Sequence, residues 1–157
     1  FKNTSYDISF EPGRYLVANA GVLITKILTT KTNESVNFLI TDAGMQTLLR
    51  PAIYNAFHNI VALTNNSNDK IEYTVAGPIC ESSDLLAKKI ILSPQQTGNY
   101  LAICDTGAYG AVMSSNYNTK GLPAEILISS DNFSIIRNHE KISSIIARDI
   151  IPHWLRD

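Results

Sequence analysis

The chain has little of most things that would announce a function. Two cysteines, Cys80 and Cys104, in 157 residues make no disulfide framework, which favours a reduced, cytoplasmic protein. No apolar run approaches the ~20 residues of a membrane helix. No basic stretch followed by an apolar one opens the chain, so nothing reads as a signal peptide. A formal net charge of -1 gives no broad attraction to nucleic acid or to an anionic membrane. His58, His139 and His153 are scattered without metal-ligand spacing, so no metal site is expected. There is no Gly-rich phosphate loop, no internal repeat and no sustained strand-helix alternation within residues 21–140, which excludes a nucleotide-binding α/β sheet. Glycosylation patterns at Asn3, Asn33, Asn65 and Asn132 are what chance supplies in an Asn- and Ser-rich chain. The chain opens at Phe1, and the strand-like Tyr6–Phe10 has no partner before it, which suggests a piece of something longer.

What is present is a series of short strands and turns on one core-sized chain. Pro12 suits the first turn of a helix over Arg14–Asn19, stopped by Gly21. Gly21–Thr30 is apolar and β-branched, the polar cluster Lys31–Ser35 turns it, and Val36–Thr41 returns as a hairpin. A helical turn is expected from Arg50 to Phe57, then a strand at His58–Leu63 and a loop at residues 65–69. Ile71, Tyr73 and Val75 alternate with Glu72, Thr74 and Ala76, the mark of a strand with one buried face. Tyr100–Cys104 is a further strand, and Ala124–Ile128 with Phe133–Arg137 forms a second hairpin. Ile142, Ile145, Ile146 and Ile150 give a helical stripe over Lys141–Ile151. The whole predicts a mainly β barrel or sandwich with a few short helices.

Four segments stand apart from this scaffold. In Gly77-Pro78-Ile79-Cys80-Glu81-Ser82-Ser83-Asp84 a Gly-Pro break displays a cysteine and a glutamate on a loop, where functional side chains concentrate. Cys80 alone reads equally as a small buried hydrophobe, and Glu81 as a solvated charge; the Gly-Pro approach tips the pair towards a site. Arg50 and Tyr54 lie four apart, so a helical turn puts both on one face. A guanidinium beside a phenol suits a carboxylate, although a surface arginine stacked on its neighbour is the simpler reading. Glu11-Pro12-Gly13-Arg14 is the third segment. In the fourth, Gly107-Ala108-Tyr109-Gly110, small neighbours allow a close backbone approach and leave one tyrosine protruding. Tyr117 and Trp154 read as packing residues, and Arg137, Lys141 and Arg148 as a solvated face. Asp42-Ala43-Gly44 and Asp105-Thr106-Gly107 both follow strands, as the paired aspartates of aspartic proteases do, but strand-ending turns explain them better.

Taken in order, these segments resemble the C-terminal part of the diaminopimelate decarboxylases. These are pyridoxal-phosphate enzymes of the alanine-racemase and ornithine-decarboxylase structural group. The likeness runs from Glu11 to about Glu125 and includes Asp42-Ala43-Gly44-Met45 and Met113-Ser114-Ser115-Asn116-Tyr117-Asn118. Ornithine decarboxylases carry an aspartate after the cysteine, so Cys80-Glu81 points to the diaminopimelate branch. Gln46 and Thr47 depart from the commoner pair at those positions, a deviation expected to lie outside the contacts.

The resemblance implies a set of roles. Glu11 lies on the pyridine-nitrogen side of pyridoxal 5'-phosphate, Gly13 offers its amide to the phosphate, and Arg14 sits between phosphate and substrate carboxylate. Arg50 and Tyr54 grip the carboxylate that is retained. Cys80 and Glu81 enter the other subunit's site in a homodimer, as its catalytic pair, with Glu81 on the distal amine of meso-diaminopimelate. Tyr109 reaches back to cofactor and substrate. Residues 1–20 would be the end of an N-terminal β/α barrel and residues 21–157 the C-terminal β-barrel domain, with one strand edge exposed where the family domain borrows a strand from the N-terminal end. The lysine that binds the cofactor covalently belongs to the missing barrel, and Lys2, Lys26 and Lys31 have no motif to replace it. A related ornithine or polyamine-precursor decarboxylase and a non-catalytic dimerisation or binding domain are the alternatives.

Overall fold

The computed structural model describes residues 5–64 and 67–156. Phe1, Lys2, Asn3 and the beginning of the expected 65–69 loop lie outside the described residues. Eight strands form two sheets. β1 (Leu23–Asn33), β2 (Val36–Thr41), β3 (Ile60–Ala62), β4 (Ile71–Ala76), β5 (Leu85–Leu92) and β6 (Tyr100–Ile103) make a six-stranded sheet in the order β3-β6-β1-β2-β4-β5. β2 and β4 are parallel, with Asn37 opposite Tyr73; every other pair in this sheet is antiparallel. The two terminal strands of the order, β3 and β5, lie against each other, so the sheet curls into a nearly closed barrel. A side chain spans the seam: Gln95, just after β5, donates Nε2 to Thr64 O, just after β3, at 3.1 Å, while its amide is held by Tyr73 Oη of β4 at 3.0 Å. Each of these terminal strands pairs in the ladder on one side only.

The barrel is filled by Ile27, Leu39, Leu48, Val75, Leu101 and Ile103, all essentially without solvent contact. The alternation read in Ile71–Ala76 holds only for its outer half. Tyr73, Thr74, Val75 and Ala76 are all buried, so both faces of the strand are covered over this half. β5 was invisible in the sequence. The Tyr73–Ile90 and Val75–Ala87 pairs skip Lys88 and Lys89, and Lys89 takes a positive φ of 54°. This bulge breaks the period of two that would have marked the strand.

The flanks differ more. Tyr6–Phe10 has no strand partner. The expected Arg14–Asn19 helix is two 3-10 turns, Arg14–Leu16 and Ala18–Ala20, split at Val17. Ala18 O accepts from the amide of Gly107, a tertiary bond that competes with continuing the helix. α1 (Arg50–Tyr54) forms where expected and stops at Asn55, which has left-handed backbone. β7 (Glu125–Ser129) and β8 (Asn132–Arg137) form the second hairpin, detached from the main sheet. α2 is only Ile142–Ile146: Ile142, Ile146 and Ile150 of its apolar stripe are exposed, and short helices depend on packing. No helix among the described residues is long and apolar enough to cross a membrane.

Candidate functional site

A cleft of about 810 Å³ opens between the 3-10 turns and α1 and is lined by Arg14, Asn19, Arg50, Tyr54, His58 and Asp105 among others. α1 begins at Arg50-Pro51 and lasts just over one turn, which brings Arg50 and Tyr54 to the same wall. Arg50 is buried, and its Nε has no hydrogen-bond partner. Tyr54 is exposed. His58 is also buried; its Nδ1 lies 3.0 Å from Cys104 O, which can only accept, so Nδ1 donates, and Nε2 has no partner. Buried polar atoms are normally satisfied, and two unsatisfied ones on one cleft suit a polar ligand.

The Gly107–Gly110 loop lies next to Arg50. Its close approach is to this chain's own backbone: a Cβ on Gly107 would collide with Val17 O, and the Gly107 amide donates to Ala18 O at 2.9 Å. That contact fixes Tyr109, at a positive φ of 57°. The Tyr109 ring centroid lies 6.0 Å from the Arg50 guanidinium carbon. Its hydroxyl reaches Gly13, where a Cβ would stand 3.0 Å from Tyr109 Oη. Gly13, Arg14, Arg50, Tyr54 and Tyr109 are therefore brought together. Glu11 is exposed and makes no hydrogen bond or ion pair with the described residues.

Cys80 and Glu81 do not line this cleft. They sit on an exposed loop that Asp84 organises. The Asp84 carboxylate accepts from the amides of Met45 (2.6 Å) and Ile79 (2.7 Å). Its backbone accepts from Gly77 and donates to Glu81 O, both at 3.0 Å. The carboxylate is wedged against Gly44 and Gly77, where any Cβ would strike it, so both positions require glycine. Burial pushes the Asp84 carboxyl above its ordinary value, and the two amides partly offset this.

Glu81 has a second support. Tyr117 Oη donates to Glu81 Oε2 at 3.1 Å, and this bond holds the phenol proton above the usual tyrosine range. Tyr117 is thus not a packing residue. Neither is Trp154, which is exposed with its edge to His153. The Arg137, Lys141 and Arg148 face is not simply solvated either: Arg137 pairs with Glu125, and Arg148 with Glu140. Gln46 is buried, donates to Asp42 O and accepts at its backbone from Ser115, so the departure at this position lies inside a structural network. Asp42 is occupied by Thr25 Oγ1 and the Lys26 amide at 2.6 and 2.9 Å, which leaves no protease-like aspartate pair.

Among the described residues no group of three His, Cys, Asp or Glu is placed to hold a metal. The cleft's donors are an arginine on the rim, an unpartnered buried guanidinium N–H and two phenols. They suit phosphate and carboxylate. No lysine lines the cleft. The residues present thus fit the anionic end of pyridoxal phosphate and lack a group to bind its carbonyl.

The molecule is thus a nearly closed β-barrel domain bearing a cleft whose donors suit an anion. The chain belongs to the pyridoxal-dependent decarboxylases, as their C-terminal sheet domain, which matches residues 8–107. It is 46% identical over 142 residues to a diaminopimelate decarboxylase of Haemophilus influenzae, covering 90% of this chain and 34% of that protein. It is 41% identical to one of Aquifex aeolicus, covering 92% and 34%. A crystal structure of the diaminopimelate decarboxylase of M. jannaschii superposes with a TM-score of 0.89 at 40% identity, over 93% of this chain and 33% of that one. The same enzyme has been solved in complex with L-lysine. The chain spans about a third of the length of the relatives it matches.

Proposed function

We propose that this chain is the C-terminal domain of a pyridoxal-phosphate-dependent diaminopimelate decarboxylase, which converts meso-diaminopimelate to L-lysine and carbon dioxide. The observation that carries the reading is the convergence of Arg14, Arg50 and Tyr54 on one cleft, with the Tyr109 ring 6.0 Å from Arg50, in a chain whose relatives bear that name. Bound pyridoxal phosphate supplies the electron sink for the carbanion left by loss of carbon dioxide. Gly13, Arg14 and Tyr109 hold its phosphate side, and Glu11 reaches the pyridine-nitrogen side. Arg50 and Tyr54 bind the retained carboxylate, the buried guanidinium giving the charge and the phenol a hydroxyl. Arg50 is already desolvated, which strengthens its pull on a carboxylate.

Cys80 and Glu81 serve the partner subunit's site in a homodimer. Their exposure, and their absence from the cleft wall, support this placement. Glu81 takes the distal amine, and Cys80 stands beside the reacting carbon. Residues 1–20 are the end of a barrel domain; the exposed Tyr6, Phe10 and Tyr15 support a role in packing on it. The intact enzyme is cytoplasmic.

The domain alone has no lysine on its cleft, so it should release no carbon dioxide from meso-diaminopimelate with added cofactor. Turnover by the domain at the rate of an intact enzyme would overturn these roles. In the full-length protein, mixing Glu81→Gln with a variant lacking the barrel's cofactor-binding lysine should restore part of the activity. No recovery in a verified heterodimer would refute the shared site.

A further inference from the structure

Glu81 is the only acidic side chain of the Cys80–Ser83 loop top, and only one of its oxygens is engaged. Tyr117 Oη donates to Oε2 at 3.1 Å, while among the described residues no donor reaches Oε1. Tyr117 comes from a segment 36 residues away, and that segment is itself fixed. Asn116 Nδ2 donates to Glu140 Oε2 at 2.6 Å and to Lys120 O at 2.9 Å, and Arg148 Nη1 donates to Asn116 Oδ1 at 3.0 Å. Arg148 also pairs with Glu140. Ser115 donates its amide to Gln46 O at 2.9 Å, tying the same turn to the Gly44 corner on which Asp84 rests. The backbone of Glu81 is held from below by Asp84, and its carboxylate from the side by Tyr117.

We infer that Tyr117 is a positioning residue: its hydroxyl fixes one Glu81 oxygen so that the other is presented to the substrate's distal ammonium. The inference rests on the reading of Glu81 under Proposed function. A free glutamate side chain must lose rotamer freedom to meet a ligand, and a hydroxyl that locks it in advance removes part of that loss. Tyr117 would then govern recognition of the amine beside the retained carboxylate and leave the chemical step alone.

The test uses the full-length protein loaded with pyridoxal phosphate, as wild type, Tyr117→Phe, Glu81→Ala and the double variant. Two ligands are titrated by calorimetry. L-lysine carries an amine beside its carboxylate; 6-aminohexanoate keeps the carboxylate and the far amine but lacks that one. Tyr117→Phe should weaken L-lysine by about tenfold and leave 6-aminohexanoate unchanged. It should raise KM for meso-diaminopimelate while kcat stays within about twofold. In the Glu81→Ala background the added Tyr117→Phe should change nothing further. Equal weakening of both ligands, or a full Tyr117 effect without Glu81, would overturn the inference. So would unchanged L-lysine affinity in Tyr117→Phe while Glu81→Ala loses it, an outcome that leaves the reading of Glu81 standing. Wild-type lysine affinity in Glu81→Ala would overturn both.

Discussion

The barrel between Thr25 and Gly110 and the segments on either side of it obey different rules. Among the described residues, every buried one lies within that span. Residues 5–20 and 111–156 contain none, although they carry Phe10, Tyr15, Phe133, Ile150 and Trp154. β7 and β8 are regular strands, yet all but one of their residues are exposed. Backbone pairing alone is enough to draw a hairpin, whereas a barrel needs a filled interior. The candidate site sits where the two regimes meet. Its rigid members, Arg50 and Tyr109, belong to the barrel, and Arg14 and Tyr117 come from the flanks.

The sharpest way to break this contrast is in the core. Leu39→Ala should destabilise the domain by about 2–5 kcal/mol, read from the urea midpoint. A loss below about 1 kcal/mol would mean that the barrel is not the cooperative unit.

Arg50→Ala comes next and separates site from scaffold. Loss of a buried charge-assisted contact costs on the order of 1.5–3 kcal/mol, so kcat/KM for meso-diaminopimelate in the full-length enzyme should fall roughly ten- to a hundredfold. Cofactor absorbance should persist. Near-normal kinetics would place the carboxylate clamp elsewhere.

Asp84→Asn probes the corner that carries Glu81. An amide presents only one acceptor where Met45 and Ile79 need two, so about 1–3 kcal/mol of stability should disappear. The pH dependence has a definite direction. Because burial raises the folded carboxyl above the ordinary 3.8, the folded state holds this proton more tightly than the unfolded one. This group's contribution is greatest below 3.8 and declines as pH rises through the folded value. The wild-type minus Asp84→Asn difference in urea midpoint should follow that curve; a contribution that grew with pH across the window would contradict it.

The smallest effect belongs to the hairpin. Phe133→Ser in the isolated domain should move stability by no more than about 0.5 kcal/mol, since the ring touches mostly water. A larger loss would show that the flank packs on the barrel after all.

Local chemistry was readable wherever pattern and environment agree. Val36–Thr41 and Ile71–Ala76 are strands with the expected limits, and Arg50–Tyr54 is helical with both site residues on one cleft wall. The order of the four unusual segments was enough to indicate the family. β5 escaped because its bulge at Lys88–Lys89 hides the period, and α2 came out short because most of its stripe stays exposed. Local composition is enough to say which residue types bind an anion, and that Cys80 and Glu81 ride on a loop. Which groups share a site depends on how distant segments meet in the folded chain. Asp84 clasps Met45 across 39 residues, Gly107 meets Ala18, and Tyr117 reaches Glu81 across 36. Such contacts depend on how the barrel closes, and closure is set by volume and register summed over six strands, which no single segment encodes.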